Sequence, residues 1–316
     1  MTNVLVLGGG VVGLNTALRL ALDTDYKVTV YSSSYLETTS SYAGAFWWPS
    51  PAELQGEQLP DWALESFEFL RFLKEDAGIT QRKIVGLAEG TFSVPDWFTR
   101  IPGFREVNGS EIDPPFKHGV VIESAPVIDP PTHLKWLRDR LSSLGVTLET
   151  QTFKGLDDAL TKCSIVLNCT GLGAQDLCGD SDLHPVSGQL VKLRKRDLDH
   201  VMFMANKTTR TAYIIPQSTC TILGGTYFDN DRQTEPDQNE TRLIIERCNR
   251  LWPKLQASDA DVIGATRALR PVRSRVRLEV EKKAKGVIVH NYGHGRSGFS
   301  LAYGAAGAAL KLLAGL

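Results

Sequence analysis

Val4 to Leu7 is a short unbroken apolar run, followed at once by glycines and then by Val11 to Leu22, which is mostly apolar and free of proline. The first run predicts a strand buried on both faces, and the second a helix packed on a sheet. "YKVTVYSSS" predicts a second strand and closes a βαβ unit by about Ser33. After a loop from Thr38, apolar residues return at helical spacing over Asp61 to Asp76, with Asp61 as N-cap and Gly78 just past the end. Residues 80 to 128 mix short strand-like runs with Pro and Gly. Thr132 to Leu144 predicts a helix ending at Gly145. "VTLETQTF" and "SIVLNCTGLGA" predict strands flanking a short acidic segment. Residues 186 to 228 alternate as antiparallel strands do. Asp237 to Leu251 predicts a helix, "GVIVHNYG" a last buried strand, and Gly298 to Leu313 a last helix of small residues.

The parallel-sheet pattern therefore lies at the start, near 145 to 174, and at the end, with antiparallel material inserted between. This predicts two interleaved domains, one dinucleotide-binding α/β and one built on an antiparallel sheet. No repeat or low-complexity linker interrupts them.

Composition narrows the function. The 316 residues are 42% hydrophobic and 22% charged, with a net charge of -1. Nothing global points to nucleic acid or an anionic membrane surface, and no run of 18 or more apolar residues predicts a spanning helix. The opening strand leaves no room for a signal peptide, the C-terminal "LLAGL" is no peroxisomal address, and a cytoplasmic protein is expected. Cys163, Cys169, Cys178, Cys220 and Cys248 form no C-x-x-C pair, which predicts buried free thiols rather than disulfides or a structural metal.

Gly8, Gly10 and Gly13 match G-x-G-x-x-G between a strand and a helix, the context in which that motif binds a pyrophosphate. Glycines admit the backbone, and the helix start at Val11 and Val12 presents unpaired N–H groups with a partial positive charge. An acid usually follows at the end of the second strand to hold a ribose. Here Ser32 and Ser33 occupy that place, which weakens plain NAD and favours a larger ligand with further contacts. Thr170 and Gly171, after the strand "SIVLN", supply a second turn for such a ligand.

"VLVLGGGVVGLNTALRL", "SYAGAFWWP", "NCTGLGA", "PVSGQL", "YIIPQ", "ILGGTY", "RPVRSRVRLE" and "HNYGHGRSGFSLAYG" occur in the order found in the D-amino-acid oxidase family, which the chain resembles over nearly its whole length. The resemblance implies non-covalent FAD and oxidative deamination of a D-amino acid by O2 to a 2-oxo acid, ammonia and hydrogen peroxide. It also implies a fold: a Rossmann-like FAD-binding domain (1–50, 128–185 and 262–316) interleaved with an antiparallel-sheet substrate domain (51–127 and 186–261). A homodimer is left open. Alternatives are an oxidase selective for D-aspartate or D-glutamate, and a flavin oxidase or dehydrogenase acting on glycine or a secondary amine.

Residue by residue, the resemblance makes Arg270 the clamp for the substrate carboxylate and Tyr213 its partner, with Thr209, Arg210, Trp47 and Arg296 also facing substrate. A planar guanidinium suits that clamp because it offers two parallel hydrogen bonds. Thr209 stands where mammalian members carry a second tyrosine, and Arg296 where many members have glycine. Either one of Arg210 and Arg296 receives an acidic substrate side chain, or both lie outside a pocket for neutral D-amino acids. Toward FAD, the resemblance assigns Thr38, Thr39 and Ser40 beside the pyrophosphate, Ala43, Gly44 and Ala45 along the flavin, and Phe153 at the adenine. Gly295, Arg296, Gly298, Phe299 and Ser300 form the last cofactor turn, its helix start aimed at negative charge on the flavin. His294 is expected to be structural or to touch the flavin edge rather than act as a base. Arg273, Arg275 and Arg277 read as a solvated strand face.

Overall fold

The computed structural model describes residues 2–50, 56–90, 93–204 and 210–315, apart from the side chains of Ser110 and Arg210. The chain begins with β1 (Asn3–Leu7), α1 (Val11–Asp23) and β2 (Lys27–Ser32). It continues through α2 (Leu59–Phe72), β3 (Ile79–Ala88), β4 (Phe104–Asn108) and β5 (His118–Ile128). Then come α3 (Pro130–Ser143), β6 (Thr147–Thr150), α4 (Leu156–Lys162), β7 (Ile165–Asn168) and α5 (Gly173–Cys178). An antiparallel stretch follows: β8 (His184–Arg194), β9 (His200–Met204), β10 (Arg210–Pro216), β11 (Cys220–Thr226) and the short β12 (Phe228–Asp229). The chain closes with α6 (Gln238–Leu251), β13 (Val262–Lys283), β14 (Gly286–His294) and α7 (Gly298–Ala314).

The strands form one continuous sheet in the order β4-β5-β3-β9-β10-β11-β8-β13-β14-β7-β1-β2-β6, with β12 beside β8. From β14 to β6 the neighbours are parallel. The other ladders are antiparallel, except that β3 runs parallel to β9. The 22-residue β13 joins the two halves. Its first part pairs with β8 and its later part with β14, and Val272 faces both His184 and His294. Arg270 thus sits two residues from the seam.

Local chemistry explains the elements. Asp129 and Asp237 cap α3 and α6 by accepting from Thr132 N (3.3 Å) and Glu240 N (2.7 Å). The small residues of α7 let it approach α1 and α2 closely: a Cβ on Gly304 would fall 2.3 Å from the Trp62 carbonyl oxygen. The main core joins this helical layer to β1, β2 and β5. A second cluster lies where α6 covers the antiparallel strands, and a third includes α4 with β1 and β7.

Several expectations shift. Helix α2 starts at Leu59 and ends at Phe72, so Asp61 lies in its first turn rather than capping it. Pro60, which the helix tolerates at its first turn, sets the earlier start. The acidic segment between β6 and β7 is helix α4, with Asp157 and Asp158 in its first turn, where the helix dipole favours them. Arg273 and Arg277 are not solvated: Arg273 Nε pairs with the buried Asp180 at 3.0 Å, and Arg277 donates to Tyr292 Oη at 2.7 Å. Only Arg275 of the three is exposed. The five cysteines are free, and four of them are buried.

Candidate functional site

One cavity of about 1570 Å³ runs from the ends of the parallel strands to the antiparallel floor. Apart from Gly13, every cofactor candidate read from the sequence lines it.

At the first turn, Gly8 adopts φ +122°, and a Cβ there would fall 2.3 Å from Cys169 O. Gly13 works from behind: its Cβ would lie 2.0 Å from Gly8 O, so only glycine lets α1 sit this close to β1. Gly10 is the extended N-cap of α1. Ser40 Oγ accepts the Val11 N–H at 3.0 Å, which places a hydroxyl at the helix start. Ser32 Oγ accepts from Gly9 N (3.1 Å) and donates to Ser34 O (2.6 Å), so it holds the turn itself. Thr39 Oγ1 donates to Leu269 O at 2.9 Å, tying this loop to β13 beside Arg270, while Thr38 pairs with Ser41. Beyond β2, Phe153 meets Tyr31 edge-on at 5.2 Å, and Lys162 Nζ lies 5.1 Å from the Tyr31 ring centre.

The second turn is held by a polar chain. Asn168 Oδ1 accepts from Thr170 Oγ1 (2.7 Å), so the amide of Asn168 faces His290 Nδ1 (3.2 Å). That leaves the His290 proton on Nε2, which donates to Glu281 at 3.0 Å. Gly171 takes φ +57° at the cavity wall.

The third turn ends β14. Gly293 (φ +86°) and Gly295 (φ +54°) flank His294, and a 3-10 turn over Gly295–Ser297 precedes α7. Helix α7 itself starts at Gly298, as expected, directly after this 3-10 turn. Two α7-side serines pin the opposite loop: Ser297 Oγ accepts from Ser50 N (3.1 Å) and Ser300 Oγ from Trp48 N (3.0 Å). That loop carries Ala43, Gly44 and Ala45 and runs along β5, with Ile128 N donating to Ala45 O at 3.0 Å and Trp47 N to Pro126 O at 2.8 Å.

The wall between these turns is chemically incomplete. His294 is 2% exposed and lines the cavity, and its Nε2 has no partner. Burial pushes its pKa down to about 4, so it is neutral at pH 7. Asn291 Oδ1, on the same wall, is also unpartnered. The glycine turns, whose cradle at Gly8 a Cβ would fill, fit a flavin dinucleotide.

At the other end, the guanidinium of Arg270 lies over Gly188 and donates from Nη1 to Thr226 O at 3.1 Å; a Cβ on Gly188 would fall 1.9 Å from that nitrogen. The Tyr213 ring lies over Gly224 in the same way, 1.9 Å from the place of a Cβ. Burial raises the Tyr213 pKa against the pull of Arg270 and Arg296, so its hydroxyl stays protonated. Arg296 lines the cavity and is exposed. Trp47 does not reach the cavity. It is fully buried, 4.8 Å from the Phe67 ring, with Nε1 donating to Ala63 O at 3.3 Å. Its neighbour Trp48 lines the cavity instead, 4.6 Å from Phe203. Adjacent residues of an extended segment point to opposite faces, and "FWWP" does not say which tryptophan faces in. Thr209 lies outside the described residues. Arg210 pairs through its backbone with Thr226 at the start of β10, and its side chain is not described.

Sequence reasoning also missed Phe203, Tyr227 and Asn291. Phe203 carried only strand-like alternation, and Tyr227 and Asn291 sat unremarked inside "ILGGTY" and "HNYGHG".

Residues 3–312 match the family described as DAO, FAD dependent oxidoreductase. A D-amino-acid oxidase from Streptomyces coelicolor is 36% identical, with 98% of this chain and 96% of the relative covered. One from Rubrobacter xylanophilus is 34% identical over 97% and 94%. A D-aspartate oxidase from Homo sapiens is 31% identical over 98% and 93%. Among solved structures, glycine oxidase from Geobacillus kaustophilus superposes with a TM-score of 0.79 at 18% identity, covering 99% of this chain and 95% of that one.

Proposed function

We propose that this chain, which belongs to the DAO family of FAD-dependent oxidoreductases, oxidatively deaminates D-amino acids. It is an oxidoreductase with FAD as its cofactor. The observation that carries the finer reading is Arg270 set beside Tyr213 over a glycine floor, at the end of the cavity away from the adenine turn.

The first glycine turn and Ser40 would hold the pyrophosphate, Phe153 and Tyr31 would flank the adenine, and the Ala43–Ala45 loop with the Gly293–Gly295 turn would enclose the flavin. The chemistry that bound FAD would supply is a two-electron acceptor for the hydride of the substrate Cα, with O2 and a proton giving hydrogen peroxide and water hydrolysing the imino acid to 2-oxo acid and ammonia. The protein's share is placement. Arg270 binds the carboxylate through two donors, and Tyr213, protonated, adds a third. Gly188 and Gly224 leave the space these side chains occupy, which fixes where Cα sits. No side chain is needed as a strong base if the amine arrives neutral. Among the described residues, the neutral and unpartnered His294 fits a contact at the flavin edge better than proton abstraction.

The test is peroxide production in air from a panel of D-amino acids, their L-forms, glycine and sarcosine. Turnover confined to D-amino acids is expected. Turnover confined to glycine or sarcosine would replace this reading with the secondary-amine one.

A further inference from the structure

We propose that Arg296 is a second cation at the carboxylate end of the site, capturing the substrate's α-carboxylate together with Arg270, and that the adjoining aromatic wall receives an uncharged side chain. This rests on the D-amino-acid reading and names the substrate class and a further binding residue for it.

The geometry turns on Tyr227. The Cζ atom of Arg270 lies 6.0 Å from the centre of its ring, and that of Arg296 lies 5.2 Å from the same centre. The two cationic carbons are therefore at most about 11 Å apart, comparable with the ~10 Å Debye length at 0.1 M salt. Both line the cavity, and both bear on the Tyr213 hydroxyl, each favouring its ionised form. Arg296 reaches this place from the third turn while Arg270 comes from β13, so the two approach one anion-binding end from different elements.

The wall that adjoins Tyr213 has another character: the Phe46 ring lies 6.5 Å from that of Tyr213, and Phe203 pairs with Tyr213 across the strands. Phe46, Trp48 and Phe203 line it, with Phe203 4.6 Å from Trp48 and 5.6 Å from Phe46, and Leu190 and Ile215 beside them. Among the described lining residues, the cations are Arg270, Arg296 and Lys154, and Lys154 lies next to Phe153 at the adenine end. None of the three cations belongs to the aromatic cluster itself, and an acidic side chain laid among those rings would lose hydration. Arg296 is thus better placed to hold the group that all D-amino acids share than to discriminate between side chains. Its surface exposure suits capture: an exposed charge that lines the cavity acts mainly on association and is weakened by salt.

The experiment compares the FAD-loaded wild type with Arg296→Gln and Arg296→Lys. Steady-state kinetics on D-Ala, D-Leu, D-Phe and D-Asp are combined with rapid-mixing measurement of flavin reduction and with titration by benzoate, a carboxylate that cannot be oxidised. For Arg296→Gln, kcat/KM should fall by about tenfold for the neutral substrates alike, the limiting rate of flavin reduction should change less than twofold, and benzoate should bind more weakly. The salt dependence of kcat/KM should flatten, and Arg296→Lys should recover most of the loss. A loss confined to D-Asp would overturn the proposal in favour of side-chain recognition. So would unchanged benzoate affinity together with an unchanged salt dependence. If the wild type oxidises no D-amino acid, the reading of the reaction fails, while benzoate binding still decides whether Arg296 serves an anion.

Discussion

The two ends of the cavity are built in opposite ways. The cofactor end consists of backbone: three turns, each leaving a parallel strand, with Gly8, Gly171 and Gly293 at positive φ. The substrate end consists of side chains standing on an antiparallel floor, with Arg270 on β13 and Tyr213 on β10, each above a glycine of a neighbouring strand. At the cofactor end, glycine shapes the main chain. At the substrate end, neither Gly188 nor Gly224 takes a positive φ, and both matter for the side chain they leave room for. A glycine substitution should therefore damage cofactor retention at one end and substrate kinetics at the other.

The largest effect should come from the substrate end. Arg270→Ala removes the clamp and should lower kcat/KM by roughly a hundred- to thousandfold while the flavin absorbance of the purified protein is retained. Steady-state kinetics with an absorbance ratio reads both, and a matching loss of flavin would erase the distinction between the ends. Gly8→Ala attacks the other side. A Cβ at φ +122° pressed on Cys169 O should destabilise the fold by on the order of 2–3 kcal/mol and leave the protein depleted in FAD, seen in denaturant melts and the flavin-to-protein ratio. Gly188→Ala is the sharper comparison. Its new Cβ displaces the Arg270 guanidinium, so kcat/KM should fall about ten- to a hundredfold with full flavin content.

The pH dependence of stability concerns the buried histidines. Burial lowers both His133 and His294 to about 4. The unfolded chain binds their protons below about 6.5 while the folded one does not. The stability from keeping them neutral is thus complete above pH 6.5 and is lost as the pH falls toward 4, by on the order of 3 kcal/mol for each histidine. Denaturant midpoints at pH 7.5 and 4.5 should show this, and His294→Gln should shrink the difference without abolishing it, because burial lowers His133 and His290 as well. An equal difference in that variant would mean that His294 is protonated in the folded protein.

Legibility followed the same division. The first turn was readable because its glycines, its strand and its helix are contiguous, and pyrophosphate binding needs only local geometry. The cofactor residues from Thr38 to Ala45 and around Gly295 were named through family resemblance, and the structure brings them to one cavity. The assignments that went astray depended on which way a side chain points. Trp47 turned into the core and Trp48 into the cavity, while Arg273 and Arg277 closed on Asp180 and Tyr292 instead of facing water. Phe203 passed unnoticed because an aromatic residue in a strand looks the same whether it fills a core or lines a site.

The sequence alone determined the alternation of elements, the first dinucleotide turn and, through ordered motifs, the family. These depend on neighbours within about thirty residues or on runs of residues that keep their order. Only the tertiary structure decided that Arg270 and Arg296 bracket one tyrosine, that Gly188 makes room for Arg270, and that His294 and Asn291 leave polar atoms unpartnered along one wall. Those facts come from strand register and burial, which are set by contacts between residues far apart in the chain. No local pattern encodes them.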